Sequence, residues 1–402
     1  MTELRGLVED VLRRDACSGC GLCALLDRGI RMRLDDNGYM RPESSGLPKE
    51  ITGAATVFRR ACPGVQVRAP RVPGGTRDHL LGDYVEAWEA WAIDPSVRYA
   101  GSSGGVLTAL NAWLLESGRA SRVTGVAASH EDPRRSVPVT MTTREEAIRS
   151  TGSRYAPVAA LDNPDVLNTQ TAVTGKPCEV AALRAASCDL DLEPPILLSF
   201  FCAGTPSQHA TQTLLETHGL DPGRRIDDLW YRGRGWPGKF TARSGHDSVE
   251  VPYEESWGEI LGPRTQWRCK ICVDAVGQSA DVVAADSWTT DAHGYPAFDD
   301  QDGVSAVIAR TERGREAVLS AAAAGVIALR PLAMSQLHAA QPLQTNRRRQ
   351  LLARLLGSWL AGRRPPRYIC FRLVRLALIS PVAFARVARG TYRRVKSARR
   401  DT

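Results

Sequence analysis

Four cysteines near the N-terminus have the spacing of an iron–sulfur ligand set. They are Cys17, Cys20, Cys23 and Cys62. A tight C-x2-C-x2-C run followed by a distant Cys-Pro is typical of a [4Fe–4S] cluster, whereas structural zinc sites more often use two separated Cys-x2-Cys pairs. Gly19 and Gly21 let the backbone curl round a cluster and direct amides at its sulfides. The spacing favours a [4Fe–4S] cluster, and four thiolates around zinc are the alternative.

A second Cys-x-x-Cys pair, Cys269 and Cys272, lies late in the chain. Two thiolates leave most of the coordination shell of a soft metal open, so the pair requires partners. Cys178 and Cys202 are the best candidates because each follows an apparent strand, and ligands gather at the carboxyl ends of strands in open α/β sheets. A lone cysteine is more often a small buried hydrophobic residue, which is the alternative for both partners. The two remaining cysteines lack such context and are predicted not to be ligands.

A loop rich in glycine and serine precedes a predicted helix over residues 106–116. Its residues are Gly101, Ser102, Ser103, Gly104 and Gly105. Amides and hydroxyls at a helix N-terminus attract anions, so the loop is a candidate cradle for a phosphate or pyrophosphate, with an ordinary turn as the alternative. The chain has neither a Gly-x-Gly-x-x-Gly motif after a strand nor a Walker A motif. A standard dinucleotide fold and an NTPase are therefore not indicated.

Predicted strands and helices alternate through the middle of the chain. Strands are expected over residues 85–93, 123–128, 171–174, 196–201, 281–286 and 304–310, and helices over 4–13, 106–116, 145–149, 179–185, 206–218 and 313–324. This order predicts an α/β (α+β) protein with a mixed sheet. The predicted segments are a ferredoxin-like iron–sulfur segment over 1–75, a body over 80–340 and a basic helical tail over 341–402.

The composition is that of a soluble globular protein, with 43% hydrophobic and 24% charged residues in a chain of 402. Ten cysteines in uneven groups are too few for a secreted disulfide scaffold of this length. The first fifteen residues have no apolar run of the kind found in signal peptides. These features predict a cytoplasmic location, where clustered cysteines more often indicate metal or redox chemistry.

The net charge of +8 is concentrated at the C-terminus. Residues 347–402 contain fifteen arginines, one lysine and one acidic residue, interleaved with leucines. Basic amphipathic helices of this kind bind anionic membrane surfaces, which predicts a protein that is peripheral to the membrane. A helical extension packed on the body or on a partner protein is the first alternative. A nucleic-acid arm is the less favoured one, since the leucine content fits it poorly.

Several motifs together resemble a known family. In chain order they are Gly-Ser-Ser-Gly-Gly (101–105), Gly-Ser-Arg-Tyr (152–155), Gly-Lys-Pro-Cys-Glu-Val-Ala-Ala-Leu-Arg (175–184), Phe-Cys-Ala-Gly-Thr-Pro-Ser (201–207) and Arg-Cys-x-x-Cys-x-Asp with Ala-Asp-Ser-Trp (268–288). Over about residues 10–335 the chain resembles the coenzyme F420 hydrogenase/dehydrogenase beta-subunit family, which includes hydroxymethyl-chlorophyll reductases. One departure is Ala285, which stands where glycine is common.

The resemblance implies two [4Fe–4S] clusters and FAD, with coenzyme F420 as a candidate substrate. It places the second cluster on Cys178, Cys202, Cys269 and Cys272, near the flavin. It also implies that the loop of residues 101–105, Tyr155 and Lys176 surround FAD. Arg154 and Tyr155 are expected to contact the isoalloxazine or else to pack, and Lys176 to tune the flavin or its phosphates or else to be a solvated loop lysine.

The function that follows is that of an iron–sulfur flavoprotein oxidoreductase. Clusters move single electrons, while a flavin accepts them singly and passes them on as a hydride. The expected partners are a deazaflavin such as F420, a redox protein such as ferredoxin, or an organic substrate. The alternatives are an electron-transfer subunit without its own substrate and a zinc-stabilised interaction protein. No catalytic residue is indicated, since His79, His209 and His293 have no triad-like setting.

Overall fold

A computed structural model of the chain describes residues 2–221, 223–287, 302–377 and 380–398. Its strands, numbered along the chain, are β1 (Ile30–Leu34), β2 (Met40–Ser44), β3 (Gln66–Arg68), β4 (Glu86–Ala92), β5 (Arg122–Ala128), β6 (Ser136–Met141), β7 (Thr171–Thr174), β8 (Ile196–Phe200), β9 (Asp228–Trp230), β10 (Lys239–Ser244), β11 (Asp247–Pro252), β12 (Val282–Asp286), β13 (Ser305–Ala309), β14 (Ile327–Pro331) and β15 (Arg367–Ile369).

The helices, numbered in the same way, are α1 (Glu3–Arg13), α2 (Leu22–Leu26), α3 (Ala54–Ala61), α4 (Pro95–Ala100), α5 (Val106–Glu116), α6 (Arg144–Arg149), α7 (Pro177–Asp189), α8 (Gln208–Thr217), α9 (Trp267–Lys270), α10 (Glu312–Ala323), α11 (Met334–Ala340), α12 (Pro342–Leu360), α13 (Leu373–Ala377) and α14 (Pro381–Ala398). Short 3-10 segments cover Pro164–Leu167 and Gly262–Arg264, and a π-helical segment covers Glu254–Leu261.

An eight-stranded mixed sheet forms the centre of the molecule, in the order β14-β4-β13-β12-β8-β7-β5-β6. The four strands β12, β8, β7 and β5 are parallel neighbours, and antiparallel strands flank them on both sides. The middle strands are apolar along their length because helices cover both faces of the sheet. In β13 every residue is buried. The predicted α/β class with a mixed sheet is confirmed, as is the helical C-terminus.

The two faces of the sheet carry separate hydrophobic cores. On one face α5 and α10 contribute Val106, Leu110 and Val318 to a core with the sheet. On the other face α7 packs with the N-terminal helices, where Leu183 and Phe58 share a second core. The N-terminal segment, with the β1–β2 hairpin and helices α1 to α3, therefore rests directly on the body through α7.

The C-terminal tail also packs on the rest of the chain. Helix α12 packs against α14, where a side chain on Gly357 would come within 2.3 Å of the Ala388 carbonyl oxygen. Strand β15 pairs in parallel with β3, which joins the tail to the N-terminal segment. No helix among the described residues is both long enough and apolar enough to cross a membrane. The predicted division at residues 75–80 and 340 stays a prediction.

The buried carboxylate of Asp281 ties β12 to β8 and to the segment after β13. It accepts hydrogen bonds from Leu197 N (2.8 Å), Thr311 Oγ1 (2.8 Å) and Arg313 Nη2 (2.7 Å), and Arg184 Nη2 lies at 3.0 Å. Burial alone would raise the pKa of Asp281, but the two arginines and the Leu197 amide offset it and bring that pKa below its ordinary value. The charged carboxylate therefore stabilises the fold at neutral pH.

We expect Asp281→Ala to lower the free energy of unfolding by about 3 kcal/mol at pH 7, because Arg184 and Arg313 lose their counter-charge. Urea denaturation measures this. A depressed pKa gives stability that is lost as pH falls, so the deficit should shrink below pH 3.8, the ordinary pKa of the group. Asp247→Ala, which removes an exposed pair with Arg224, is the control and should have little effect. Equal losses in the two variants would contradict this role.

Candidate functional site: two groups of four cysteines

The first cysteine group lines one small cavity between α1, α2 and α3. Cys17 and Cys20 lie in the loop after α1, Cys23 lies in α2, and Cys62 directly follows α3. The apolar side chains that share the cavity wall with the thiols are those of Val8, Val11, Leu22, Met32, Pro42 and Phe58. The structure therefore brings together all four residues that the sequence motif selects.

Backbone amides point at the sulfurs of this group, and burial makes the free thiols hard to ionise. The Gly19 amide donates to Cys17 Sγ (3.4 Å), and the amides of Gly64 and Val65 interact with Cys62. Burial raises the pKa of Cys20 to about 11. Because metal ligands must be thiolates, such a site needs a strongly positive centre to deprotonate it, and the amides then stabilise the anionic sulfurs.

The chain reaches this geometry through a close approach between the cysteine loop and the body. Gly21 has φ +94°, and a Cβ there would lie 2.6 Å from the Asp162 backbone nitrogen. The Leu161 amide donates to the Cys20 carbonyl (3.0 Å) at the same contact. Glycine is thus required at position 21 both by its left-handed backbone and by the neighbouring chain.

The second cysteine group assembles at the carboxyl ends of two parallel strands. Cys178 is the second residue of α7, which follows β7, and Cys202 comes two residues after β8. Because β7 and β8 are parallel neighbours, both cysteines come to the same edge of the sheet. Cys269 lies in α9, and Cys272 follows that helix.

Cys202 interacts electrostatically with the other three cysteines of this second group. Burial raises the pKa of Cys202 to about 12, and Cys269 and Cys272 add to the shift. The loop after Cys202 contacts Cys269, since the Thr205 amide donates to Cys269 Sγ (3.4 Å) and a Cβ on Gly204 would lie 3.3 Å from Cys269 Cβ. The structure therefore places the loop after Cys202 beside Cys269, and the role of these four cysteines as one ligand set stays a prediction.

Cys178 and Arg268 connect the two groups. Burial is the main cause of the raised pKa of Cys178, and Cys20 of the first group adds to it, as does Cys202 of the second. Arg268 is 2% exposed, and its guanidinium donates to the carbonyl of Pro63, the residue after Cys62 (2.9 Å). One buried cation therefore contacts the backbone beside the first group, while Cys269 of the second group directly follows it in the sequence.

Lys176 lies beside the second cysteine group. It is 9% exposed, and its Nζ donates to the Val158 carbonyl (2.9 Å) and pairs with Glu179 (2.6 Å). Burial alone would lower the pKa of Lys176, but Glu179 and Cys178 raise it above its ordinary value. The alternative that Lys176 is a solvated loop lysine is therefore wrong, because the side chain is a buried cation near the thiols of Cys178 and Cys202. Its predicted role toward a flavin stays a prediction.

The glycine loop lies where α4 ends and α5 begins. The Ser102 hydroxyl donates to the Arg232 carbonyl (3.3 Å), the Ser103 hydroxyl donates to the Val304 carbonyl (2.8 Å), and the Gly104 amide donates to Ser305 Oγ. Gly105 has φ +72° and provides no side-chain cap for α5. The serines therefore shape the loop, and the first amides of α5 are its available donors for an anion.

Arg154 and Tyr155 pack into the body near this loop. The Arg154 guanidinium donates to the carbonyls of Leu229 (2.9 Å), Pro133 (2.6 Å) and Arg135 (3.0 Å), and it lies over the Tyr231 ring. Tyr155 packs on Trp257, with ring centroids 4.9 Å apart. These contacts favour the packing alternative for Arg154, and a flavin contact of Tyr155 stays a prediction. Trp288 and His293 lie outside the described residues.

The motif search missed a buried ion pair next to the glycine loop. Arg232 pairs with Asp286 at the end of β12 (2.7 Å), and its guanidinium lies over the rings of Trp236 and Tyr253. Its backbone carbonyl accepts from Ser102, so this pair positions the loop. Asp286 belongs to the Ala-Asp motif of the family, but the sequence gives no sign that Arg232 is its partner.

Four cysteine thiols are the ligand set of a [4Fe–4S] cluster and also of a structural zinc, so the chemistry of each group fits both. Among the residues that the structure describes, no three His, Cys, Asp or Glu side chains lie close enough to hold one metal ion. A single zinc requires four ligands within about 2.3 Å of one point. A [4Fe–4S] cluster does not, because its four thiolates bind different irons.

The fold and the site define an α/β protein that carries two four-cysteine groups on one side of a mixed sheet. Two models match its body: the coenzyme F420 hydrogenase/dehydrogenase beta-subunit N-terminal region over residues 87–163, and the C-terminal region of the same subunit over 168–335. Together they cover more than half of the chain, which belongs to this family. The predicted family is confirmed, and the first cysteine group precedes the matched residues.

Several relatives resemble the chain. The coenzyme F420 hydrogenase subunit beta of Methanococcus voltae is 27% identical over 61% of this chain and 84% of its own length. That of Methanothermobacter thermautotrophicus is 26% identical over 63% of this chain and 86% of its own length. A chain in the xenon-derivatised F420-reducing [NiFe] hydrogenase complex of Methanosarcina barkeri is similar in fold, with a TM-score of 0.54, 23% identity and coverage of 73% of this chain and 98% of that chain.

We expect Gly21→Ala to lower the free energy of unfolding by about 2–5 kcal/mol, combining left-handed backbone strain with overpacking against Asp162. Thermal and urea denaturation measure the loss. Gly74→Ala is the matched control, because Gly74 also has positive φ (+69°) but open space around it. That control should lose only the backbone part, about 1–2 kcal/mol. Equal losses would mean that the close approach to Asp162 does not hold the cysteine loop.

Proposed function

We propose that this chain is an iron–sulfur flavoprotein oxidoreductase, in which two [4Fe–4S] clusters and FAD relay electrons to or from a hydride carrier. The observation that carries the proposal is the pair of four-cysteine groups, the first largely buried and the second half-buried, with the buried cation Arg268 between them. Four cysteine thiols grouped in this way have a chemical purpose when a positive metal centre deprotonates them. Two such groups side by side form a path for single electrons.

In this proposal each cysteine group is a complete ligand set. Cys17, Cys20, Cys23 and Cys62 hold the first cluster, and Cys178, Cys202, Cys269 and Cys272 hold the second. The backbone amides at the first group and the cations Arg268 and Lys176 at the second stabilise the negative charge of the bound centres. Zinc in one or both groups is the alternative, and metal analysis separates the two.

FAD would bind where the first amides of α5 meet the glycine loop. A diphosphate fits these donors, because a helix N-terminus with no side-chain cap attracts an anion. The Arg232–Asp286 pair and the Ser102 and Ser103 hydroxyls would hold the loop in place. The flavin supplies the conversion between single electrons and a hydride. This chain's own residues bind it and hold it near the second cysteine group.

Coenzyme F420 is the proposed hydride partner. The names of the relatives support it: they include F420 hydrogenase beta subunits, the F420-dependent sulfite reductase of Methanocaldococcus jannaschii and a subunit of an F420-dependent formate dehydrogenase of Methanococcus maripaludis. Ferredoxin or an organic substrate could use the same scaffold. An electron-transfer subunit that serves a partner enzyme is the second candidate, because several of these relatives are themselves subunits.

A cytoplasmic location with the tail on an anionic membrane surface remains part of the proposal. The residues that would contact the lipid are exposed: they are the basic side chains of α14, such as Arg389, Arg393 and Arg394, and the aromatic side chain of Trp359 on α12. Other tail arginines contact the body and are not available to lipid. Co-sedimentation with anionic vesicles tests this, and binding that is unchanged when α14 is removed would contradict it.

We expect the protein, purified without oxygen, to contain about eight iron atoms and one flavin per chain. Metal analysis, absorption spectra and flavin release measure this. Cys269→Ser should lose about four irons and leave the first cluster. Cys188→Ser, at an exposed cysteine outside both groups, is the matched control and should lose none. Zinc without flavin would refute the redox function, and full iron in Cys269→Ser would refute the ligand grouping.

A second measurement separates the enzyme from the relay subunit. An enzyme should oxidise reduced F420 on its own when given a one-electron acceptor such as methyl viologen, with two acceptor molecules reduced per F420. A relay subunit should hold the same cofactors and be reduced by dithionite, yet show no turnover with F420 until a partner enzyme is added.

A further inference from the structure

The C-terminal helix α12 binds the loops that carry the second cysteine group. Arg347 donates to the carbonyl of Cys202 (3.1 Å) and to that of Ala203 (2.6 Å), and Gln344 donates to the Cys202 carbonyl as well (3.3 Å). Arg348 donates to the Val273 carbonyl (2.7 Å). One helix therefore holds both the loop after β8 and the segment just after Cys272.

The rest of the tail continues the same contact. Arg354 on α12 donates to the Lys270 carbonyl (3.1 Å), and Tyr368 on β15 donates to the Ile271 carbonyl (2.6 Å). Both acceptors lie between Cys269 and Cys272. Tyr368 also lies 5.7 Å beneath the buried guanidinium of Arg268. The tail thus covers the Cys-x-x-Cys turn from outside.

The tail residues that make these contacts lie beyond the residues that the family models match. The family match ends at residue 335, and α12 begins at Pro342. The helix sequence from Pro342 to Leu360 contains four basic residues and no acidic one. The tail therefore adds positive charge, as well as hydrogen bonds, to a cysteine group that the matched body already encloses.

We propose that the tail is an arginine clamp, which fixes the two loops of the second cysteine group and raises the reduction potential of the centre bound there. The inference rests on the proposed function. Reduction of that centre takes one electron from its donor and makes the centre more negative by one charge, with no bond formed or broken. A nearby guanidinium stabilises the reduced form more than the oxidised form.

Arg347→Gln in the full chain tests the clamp, because Arg347 is the half-buried cation that contacts Cys202 and Ala203. Anaerobic potentiometric titration followed by electron paramagnetic resonance reports each cluster separately. One cluster should shift toward the oxidised form by roughly tenfold in its reduction equilibrium, which is 59 mV for a one-electron couple, and the other should stay unchanged. Arg347→Lys should recover most of the shift, because it keeps the charge.

Arg349→Gln is the matched control, since it removes the same charge from an exposed site of the same helix. Its potentials should match those of the wild type. Equal shifts in Arg347→Gln and Arg349→Gln, or no shift in either, would overturn the clamp. Iron analysis comes first, so that absence of the second cluster is recognised as failure of the proposed function and not of the clamp.

Hydrogen–deuterium exchange gives a readout that does not depend on which metal is bound. The Cys202 amide donates to the Ala275 carbonyl and the Thr205 amide to Cys269 Sγ, so both report on how tightly the two loops are held together. Their exchange should be at least several-fold faster in Arg347→Gln and unchanged in Arg349→Gln. Equal protection of both amides in all variants would show that α12 does not hold these loops.

Discussion

The arrangement of this molecule depends on one buried charge, the guanidinium of Arg268. Burying an unpaired cation costs several kcal/mol, so it persists only with compensating partners. Within the described residues its hydrogen bonds go to the Pro63 carbonyl and no carboxylate lies at ion-pair distance, while Tyr368 covers it. Tyr368 and the sulfurs of Cys272, Cys178 and Cys269 raise the pKa of Arg268 against the effect of burial. The position of Arg268 therefore makes chemical sense when those sulfurs are anionic.

The mixed sheet explains why these sulfurs meet at all. Parallel neighbours β7 and β8 end at the same edge, and the helix after β7 begins with the Pro177–Cys178 step. The same α7 packs against the N-terminal segment on its outer side. Cys178 is therefore the member of the second group that interacts with the first group, through Cys20. A segment that precedes the family match is thus placed within reach of a group formed by the family fold.

The sequence predicted the parts whose signal is local. Helix α5 matches its predicted limits, and β7, β8 and β12 lie where apolar runs indicated strands, because strands covered on both faces must be apolar. The β1–β2 hairpin was not predicted: β1 alternates apolar and basic residues over only five positions, and its partner β2 has no such pattern. The partners of Lys176, Arg154 and Arg347 were not predictable either. Apart from the local Lys176–Glu179 pair, these partners are backbone carbonyls distant in sequence, which leave no pattern in the chain.

The two cysteine groups differ in their surroundings, and under the proposed function this difference would affect their reduction potentials. The first group lies among apolar side chains and backbone amides, with Arg41 beside Cys17. The second faces Lys176 and Arg347, and it shares Arg268 with the first. Positive charge favours the reduced state, but the Glu179 carboxylate that pairs with Lys176 also acts on Cys178 and opposes that effect. The charges beside each group, and not the number of cysteines, would therefore set how the potentials of two bound centres differ.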